Sequence, residues 1–196
     1  MPTFAHGLPK TKTALAYAER MHAGQQRSDG TPFVLHPLEV ASVLYYGGAP
    51  DHVIAAGVLH DVLEKTDATA TDLEHRFGSR IAGLVAAVSD DDRIGGYAKR
   101  KAALRLQVAG AGEEALALFA ADKLSKLREL RGETELDHDR RGTSRVARDL
   151  RTRRVRHYQR SLALLEERLP DSPLVGDLRD ELRALLRERP SLLPAR

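Results

Sequence analysis

The chain has 196 residues, 42% hydrophobic and 30% charged, with a formal net charge of +3 and no cysteine. That length and balance predict one soluble globular domain, residues 1–196, with a sizeable core. Disulfides and thiolate metal sites are excluded, so any metal must be held by His and carboxylate side chains.

The hydrophobic pattern predicts an all-α fold, helices joined by short loops. Leu15, Ala18 and Met21 share one face of a first helix. Phe33-Val34-Leu35 is the only short strand candidate. Pro37 suits the first turn of a second helix that runs on through Val40, Val43 and Leu44 and stops at Gly47-Gly48-Ala49-Pro50. A third, strongly apolar helix carries Ala55-Ala56-Gly57-Val58-Leu59-His60-Asp61-Val62-Leu63-Glu64. Thr69 with Asp72 reads as a capping box for a fourth, closed by Gly78 after Phe77. Ile81, Leu84, Val85 and Val88 mark a fifth. A loop follows through Asp90-Asp91-Asp92 and Gly95-Gly96, then a helix over Lys99–Val108, broken by Gly110 and Gly112. Ala115–Leu130 is a long apolar helix, and Arg131–Gly142 reads as an exposed charged loop. Two helices close the chain over about Val146–Arg168 and Leu174–Arg187, the last begun by Ser172-Pro173.

The opening Met1-Pro2-Thr3-Phe4-Ala5-His6-Gly7 has no basic segment followed by an apolar one, so no secretory signal is read. No apolar run approaches the ~20 residues of a membrane helix, and no membrane partner is expected. With no cysteine, the cytoplasm is the expected compartment. Arg140, Arg141, Arg145, Arg148, Arg151, Arg153, Arg154 and Arg156 crowd one segment. The plain reading is a solvated helix face; a sharper one has a few arginines reaching an anionic substrate. Nucleic-acid binding is the weakest reading, because only Tyr158 is at hand to stack a base.

His60-Asp61 is the pair that needs a chemical explanation. Adjacent His and Asp in an apolar helix are costly unless something satisfies them. Two further candidate partners lie far off in sequence: His36, in Leu35-His36-Pro37, and Asp122, in Ala120-Ala121-Asp122-Lys123-Leu124. Such residues can converge in a helical core and form a mixed nitrogen/oxygen site for Mn²⁺, Fe²⁺, Zn²⁺ or Mg²⁺. The competing reading is a hydrogen-bonded core histidine beside an aspartate at the core boundary, and spacing alone leaves both open.

Four segments, in order, resemble the signatures of the RelA/SpoT-type hydrolase domain. Gln25 to Ala41, around Arg27-Ser28 and Leu35-His36-Pro37, is similar to the first, and Leu59-His60-Asp61-Val62-Leu63-Glu64-Lys65-Thr66 to the second. Phe77-Gly78 with Leu84-Val85 through Val88-Ser89-Asp90-Asp91 resembles the third, and Ala121-Asp122-Lys123-Leu124 with Leu127-Arg128 the fourth. The spacing is that of the small alarmone hydrolases, and the resemblance covers about Ala14 to Tyr158. It implies an all-α HD-domain fold with one Mn²⁺ held by His36, His60, Asp61 and Asp122. The implied reaction removes pyrophosphate or phosphate from the ribose 3′ position of guanosine tetra- and pentaphosphate. Some relatives act on adenosine analogues, others on the 2′-phosphate of NADPH. Arg27 matches an arginine near the base, Lys101 or Arg100 a basic phosphate position, and Arg154 with Tyr158 an Arg/Tyr pair on one face of the late helix.

The chain departs from that pattern at the centre of the chemistry. Where the family has Glu-Asp after the HD pair, this chain has Glu64-Lys65. Glu64 is expected to act as general base, with Lys65 a cation where a carboxylate is usual. Ser125-Lys126 stands for the usual His-Asn or Tyr-Asn, and Ser28 for a lysine beside Arg27. The expectation is therefore a metal-dependent phosphohydrolase of a phosphorylated nucleotide, with Arg27, Ser28, Arg100, Lys101, Lys126, Arg154 and Tyr158 contacting substrate. The alternatives are a different substrate, such as the NADPH 2′-phosphate or a nucleoside 3′-phosphate, or an HD protein that binds a nucleotide without turnover.

Overall fold

The computed structural model describes residues 2–137 and 145–188, with side chains described through 132 and again from 149. After a 3-10 turn at Thr3–Ala5 come ten helices among the described residues: α1 (Pro9–Met21), α2 (Leu35–Tyr46), α3 (Asp51–Leu59), α4 (Val62–Lys65), α5 (Ala70–Phe77), α6 (Ser79–Val88), α7 (Tyr97–Gly110), α8 (Glu113–Asp137), α9 (Arg145–Arg168) and α10 (Pro173–Glu188). The expected all-α class holds.

Helix α3 is the axis of the fold. Every residue from Val53 to Leu59 is buried, so this helix is apolar all round because it is packed all round. It lies against α1, α2, α6 and α8. Gly57 is what lets α2 come so close. A Cβ there would stand 2.6 Å from Leu44 Cδ1, inside van der Waals contact. Its N-terminal residue, Asp51, reaches back to α1, whose own N-cap supplies no side-chain bond. The Asp51 carboxylate accepts from the amides of Lys10 (3.0 Å) and Thr11 (2.9 Å) and from the Thr11 hydroxyl (2.7 Å). The open amides of one helix are thus satisfied by the first residue of another. The second long element, α8, packs against α2, α6, α7, α9 and α10 and carries Leu116, Leu118, Phe119, Leu124 and Leu127 into the core.

Local signals act where the pattern reading expects them. The Thr69 amide donates to Asp72 Oδ2 (2.9 Å) and the Asp72 amide to Thr69 Oγ1 (3.2 Å), a full capping box. Gly78 closes α5 at φ +82°, a conformation that residues with a Cβ rarely adopt.

Three expectations are corrected. The helix through His60-Asp61 is not continuous: α3 ends at Leu59 and α4 begins at Val62. His60 Nδ1 bonds the Gly57 carbonyl at 2.8 Å, the group to which Asp61's amide would bond if the helix ran on. Phe33-Val34-Leu35 is no strand: Phe33 and Val34 form a turn, α2 already starts at Leu35, and the isolated bridge nearby, Gln26 to Pro32, stops short of the segment. A strand without a paired neighbour has no ladder to hold it. The charged segment from Arg131 is helical through Asp137, because Arg131 is anchored to Glu181 (2.9 Å) and Glu188 (3.0 Å) on α10. The rest of that expected loop, residues 138–142, lies outside the described residues. No helix among the described residues is long and apolar enough to cross a membrane.

Phe119 is fully buried at the heart of α8. Truncating it to alanine is expected to lower unfolding free energy by about 3–5 kcal/mol, read from urea denaturation of the purified protein.

Candidate metal centre and its cavity

Three stretches far apart in sequence meet at one buried point. His36 sits in the first turn of α2, His60 and Asp61 in the break between α3 and α4, and Asp122 midway along α8. All four are buried. The two Nε2 atoms of His36 and His60 lie 3.2 Å apart. Asp122 Oδ1 is 3.2 Å from the first and 3.4 Å from the second. One ligand atom from each of His36, His60 and Asp122 falls within 4.8 Å of the others. Asp61 flanks this trio rather than joining it, with Oδ1 3.5 Å from His60 Nε2 and Oδ2 3.7 Å from His36 Nε2.

The outer hydrogen bonds fix the tautomers. Ser125 Oγ donates its one proton to Glu39 Oε2 (2.8 Å), so it accepts from His36 Nδ1 (3.0 Å). A backbone carbonyl can only accept, so His60 Nδ1 donates to Gly57. Neutral rings held this way turn two bare Nε2 lone pairs toward each other and toward the Asp122 carboxylate. Acceptors facing acceptors in a buried site call for a cation between them. Asp61 Oδ2 adds to that demand, being buried without a hydrogen-bond partner. The donor set, two imidazole nitrogens and carboxylate oxygens, suits a divalent metal of the Mn²⁺, Fe²⁺ or Zn²⁺ kind.

Burial and the neighbouring charges act differently on the two rings. Burial pushes His36 below its ordinary pKa, Asp122 opposing. At His60 burial pushes the same way, but the Asp61 and Asp122 carboxylates outweigh it and raise the pKa. Burial alone would raise both aspartates. Instead Asp61 is lowered by His60 and Lys126, and Asp122 well below its usual range by Lys123 and Lys126. Lys123 is buried in contact with Asp122 Oδ2 and lies 4.4 Å from the Phe119 ring centre. Lys126 Nζ stands 2.8 Å from Asp122 Oδ1 and 3.9 Å from Asp61 Oδ1. Lys126 is therefore an ammonium at the edge of the centre itself.

The centre opens into a cavity of about 540 Å³, within the range of a small-molecule site. His36, Asp61 and Lys126 line one side of it, with Glu64 and Lys65 beside them. Arg27, Ser28, Arg100, Lys101, Arg154 and Tyr158 line the rest. Glu64 is partly buried, and its Oε1 accepts from the Asp90 amide at 2.7 Å. Burial raises its carboxyl pKa, the Asp90 amide opposing and the Asp61 charge adding. The Arg27 guanidinium is braced, its Nε 3.0 Å from Glu129 and Nη2 3.9 Å from Glu39. Lys101 pairs with Asp90, and Arg100 Nε lies 3.7 Å from the same carboxylate. Tyr158 is buried, which raises its phenol pKa and keeps the hydroxyl protonated. Of the crowded arginines, Arg153, Arg154 and Arg156 are all exposed, and of these three Arg154 lines the cavity. Arg140 and Arg141 lie outside the described residues, as do the side chains of Arg145 and Arg148.

Several lining residues escape sequence reasoning. Asp90, Tyr97, Lys123, Glu129 and His157 all face the cavity. Lys123 had a signal, since it adjoins Asp122 in an apolar run. His157 had a fainter one: Ser161, one turn on, is also buried, and two polar residues on the core face of one helix need partners. Arg105 Nη1 supplies one, 3.0 Å from His157 Nδ1. Burial and the charges of Lys123, Lys101 and Arg105 push the His157 pKa down to about 2.

Comparison with known proteins fits this architecture. The chain matches the HD domain family over residues 14–153. It is 36% identical over 132 residues to the guanosine-3′,5′-bis(diphosphate) 3′-pyrophosphohydrolase MESH1 of Drosophila melanogaster, covering 64% of this chain and 72% of that protein. It is 41% identical over 81 residues to the enzyme of that same name, apart from MESH1, in Aquifex aeolicus, covering 41% of this chain and 12% of that one. A GTP pyrophosphokinase of Streptomyces coelicolor is 34% identical over 127 residues, of which the alignment spans only 15%. The chain thus corresponds to a small part of these longer bacterial relatives. Among solved structures, one described as a metazoan ortholog of SpoT that hydrolyses ppGpp superposes with a TM-score of 0.71 at 28% identity, covering 92% of this chain and 95% of that one. A Listeria monocytogenes protein superposes with a TM-score of 0.64 at 28% identity, covering 78% and 94%. The chain belongs to the HD-domain family and is homologous to the hydrolase domains of the RelA/SpoT type.

Proposed function

We propose that this protein is a Mn²⁺-dependent phosphohydrolase that removes a phosphate or pyrophosphate group from the ribose of a phosphorylated nucleotide such as ppGpp or ppApp. The observation that carries the reading is the convergence of two buried imidazole nitrogens on Asp122 at the wall of a cation-lined cavity. His36, His60, Asp61 and Asp122 would hold the metal. When bound, the metal supplies a polarised phosphoryl oxygen and a more acidic water.

The remaining chemistry falls to the chain's own residues. Glu64 lies in the cavity with one carboxylate oxygen fixed by the Asp90 amide. Its raised pKa suits a base that takes the proton of the attacking water. Lys126, Lys101 and Arg154 bring positive charge to the same space, matched to the charge that builds on a phosphoryl group in transfer. Tyr158 offers a protonated hydroxyl to a sugar or phosphate oxygen. Arg27, braced by two carboxylates, is suited to holding a planar base in a set orientation rather than to neutralising a phosphate.

Lys65 favours a second reading of the substrate. It lines the cavity at the position where the resemblance leads one to expect a carboxylate that handles the leaving group. A protonated lysine cannot act as a base, but it can donate a proton to the departing ribose oxygen or pair with the phosphate being transferred. On this reading specificity is shifted from standard alarmone hydrolysis toward a nucleotide with another ribose-bound phosphate, such as the NADPH 2′-phosphate or a nucleoside 3′-phosphate.

Phosphate or pyrophosphate release measured with Mn²⁺ on ppGpp, ppApp, NADPH and simple 3′-nucleotides decides between these readings. Turnover of at least one is expected. Metal bound at one per chain with no turnover of any, but thermal stabilisation by ppGpp, would replace the enzyme by a nucleotide-binding protein. Glu64→Gln is expected to lower kcat by about 10²–10⁴-fold with one metal per chain retained. Lys65→Asp is expected to raise the rate on ppGpp; an unchanged rate would move the limitation to Lys126 or the pocket wall.

A further inference from the structure

Ser125 is completely buried on α8, flanked by the core leucines Leu124 and Leu127. A hydroxyl in that place is costly unless it bonds in both directions. It does. It accepts from His36 Nδ1 at 3.0 Å and donates to Glu39 Oε2 at 2.8 Å. Glu39 comes from α2, one turn beyond His36, and its side chain is about half exposed (45%). An ionised carboxylate can only accept, so the direction of the whole chain is fixed: His36 to Ser125 to Glu39.

We infer that Ser125, with Glu39 behind it, is the positioning residue that sets His36 as a metal ligand. The relay holds the Nδ1 proton in place, turns the Nε2 lone pair into the centre, and leads electron density from a carboxylate toward the ring. A carboxylate linked to a ligating histidine is a recurrent way to raise ligand basicity; here a serine hydroxyl stands between the two. His60 has only the Gly57 carbonyl in the equivalent place, so the two imidazoles are unequal, His36 being the more strongly supported. The residue is absent from the resemblance, which leads one to expect His or Tyr there. The inference rests on the proposed metal centre, yet it concerns metal affinity and needs no turnover.

The test is Mn²⁺ affinity of the full chain, read as free Mn²⁺ by electron paramagnetic resonance during titration. Ser125→Ala is expected to weaken binding about 10- to 100-fold, while Ser125→Thr, which keeps the hydroxyl, stays near the wild-type value. Glu39→Ala, at a half-exposed position that does not threaten the core, is expected to weaken binding in the same direction by less. If Ser125→Ala fails to fold, Glu39→Ala decides alone. Wild-type affinity in Glu39→Ala and in any folded Ser125→Ala would overturn the inference and leave the metal centre standing. No Mn²⁺ binding by the wild type at all would overturn both.

Discussion

Two imidazole nitrogens with their lone pairs aimed at one another cannot rest inside a protein without a positive charge between them. In this chain the rest of the architecture is arranged around that constraint. Each ring is locked from behind, His60 by the carbonyl of its own helix and His36 by a hydroxyl on another. Asp122 comes in from α8 and Asp61 from the helix break. The break is part of the arrangement, because the turn that ends α3 sets His60 and Asp61 side by side at the head of α4. Gly57 serves the same end one turn earlier, by letting α2 and its His36 approach α3 closely.

Around this centre the charges are unusual. Asp122 is contacted by two lysines on its own helix, one buried against Phe119 and one at the cavity edge. Lys123 has its carboxylate partner and an aromatic face, so its burial is supported. Lys126 is different in kind. It shares the one Asp122 oxygen that faces both imidazoles, and it also lines the cavity. A cation in that position would neighbour a metal held by Asp122 and Asp61. Together with Lys65 it gives the cavity more positive charge beside Asp61 and Glu64 than the family pattern leads one to expect.

Much of the fold is legible in the sequence, for ordinary reasons. Apolar spacing marks α1, α6 and α8, and Thr69, Gly78 and Pro173 mark ends of α5 and α10. What escapes is set by distant partners. Helix α8 continues through charged residues because Arg131 finds Glu181 and Glu188 some fifty residues later. The break after Leu59 comes from a side chain bonding its own helix, which no periodicity records. In the site, spacing leaves His60-Asp61 open between a core pair and ligands; the resemblance points to His36 and Asp122, and three-dimensional convergence gives the reason. Arg27 bonded to Glu129, 102 residues away, and Ser125 bonded to His36 and Glu39 leave no local trace.

The central claim is a single metal at the meeting point of α2, the α3–α4 break and α8. Anomalous diffraction at the manganese edge, from crystals grown with Mn²⁺, tests it most directly. The account predicts one strong peak within bonding distance of both Nε2 atoms of His36 and His60 and of the Asp61 and Asp122 carboxylates, with Lys126 moved off the Asp122 oxygen. A fully loaded crystal with manganese only at surface carboxylates, and the two imidazoles still facing each other, would contradict it.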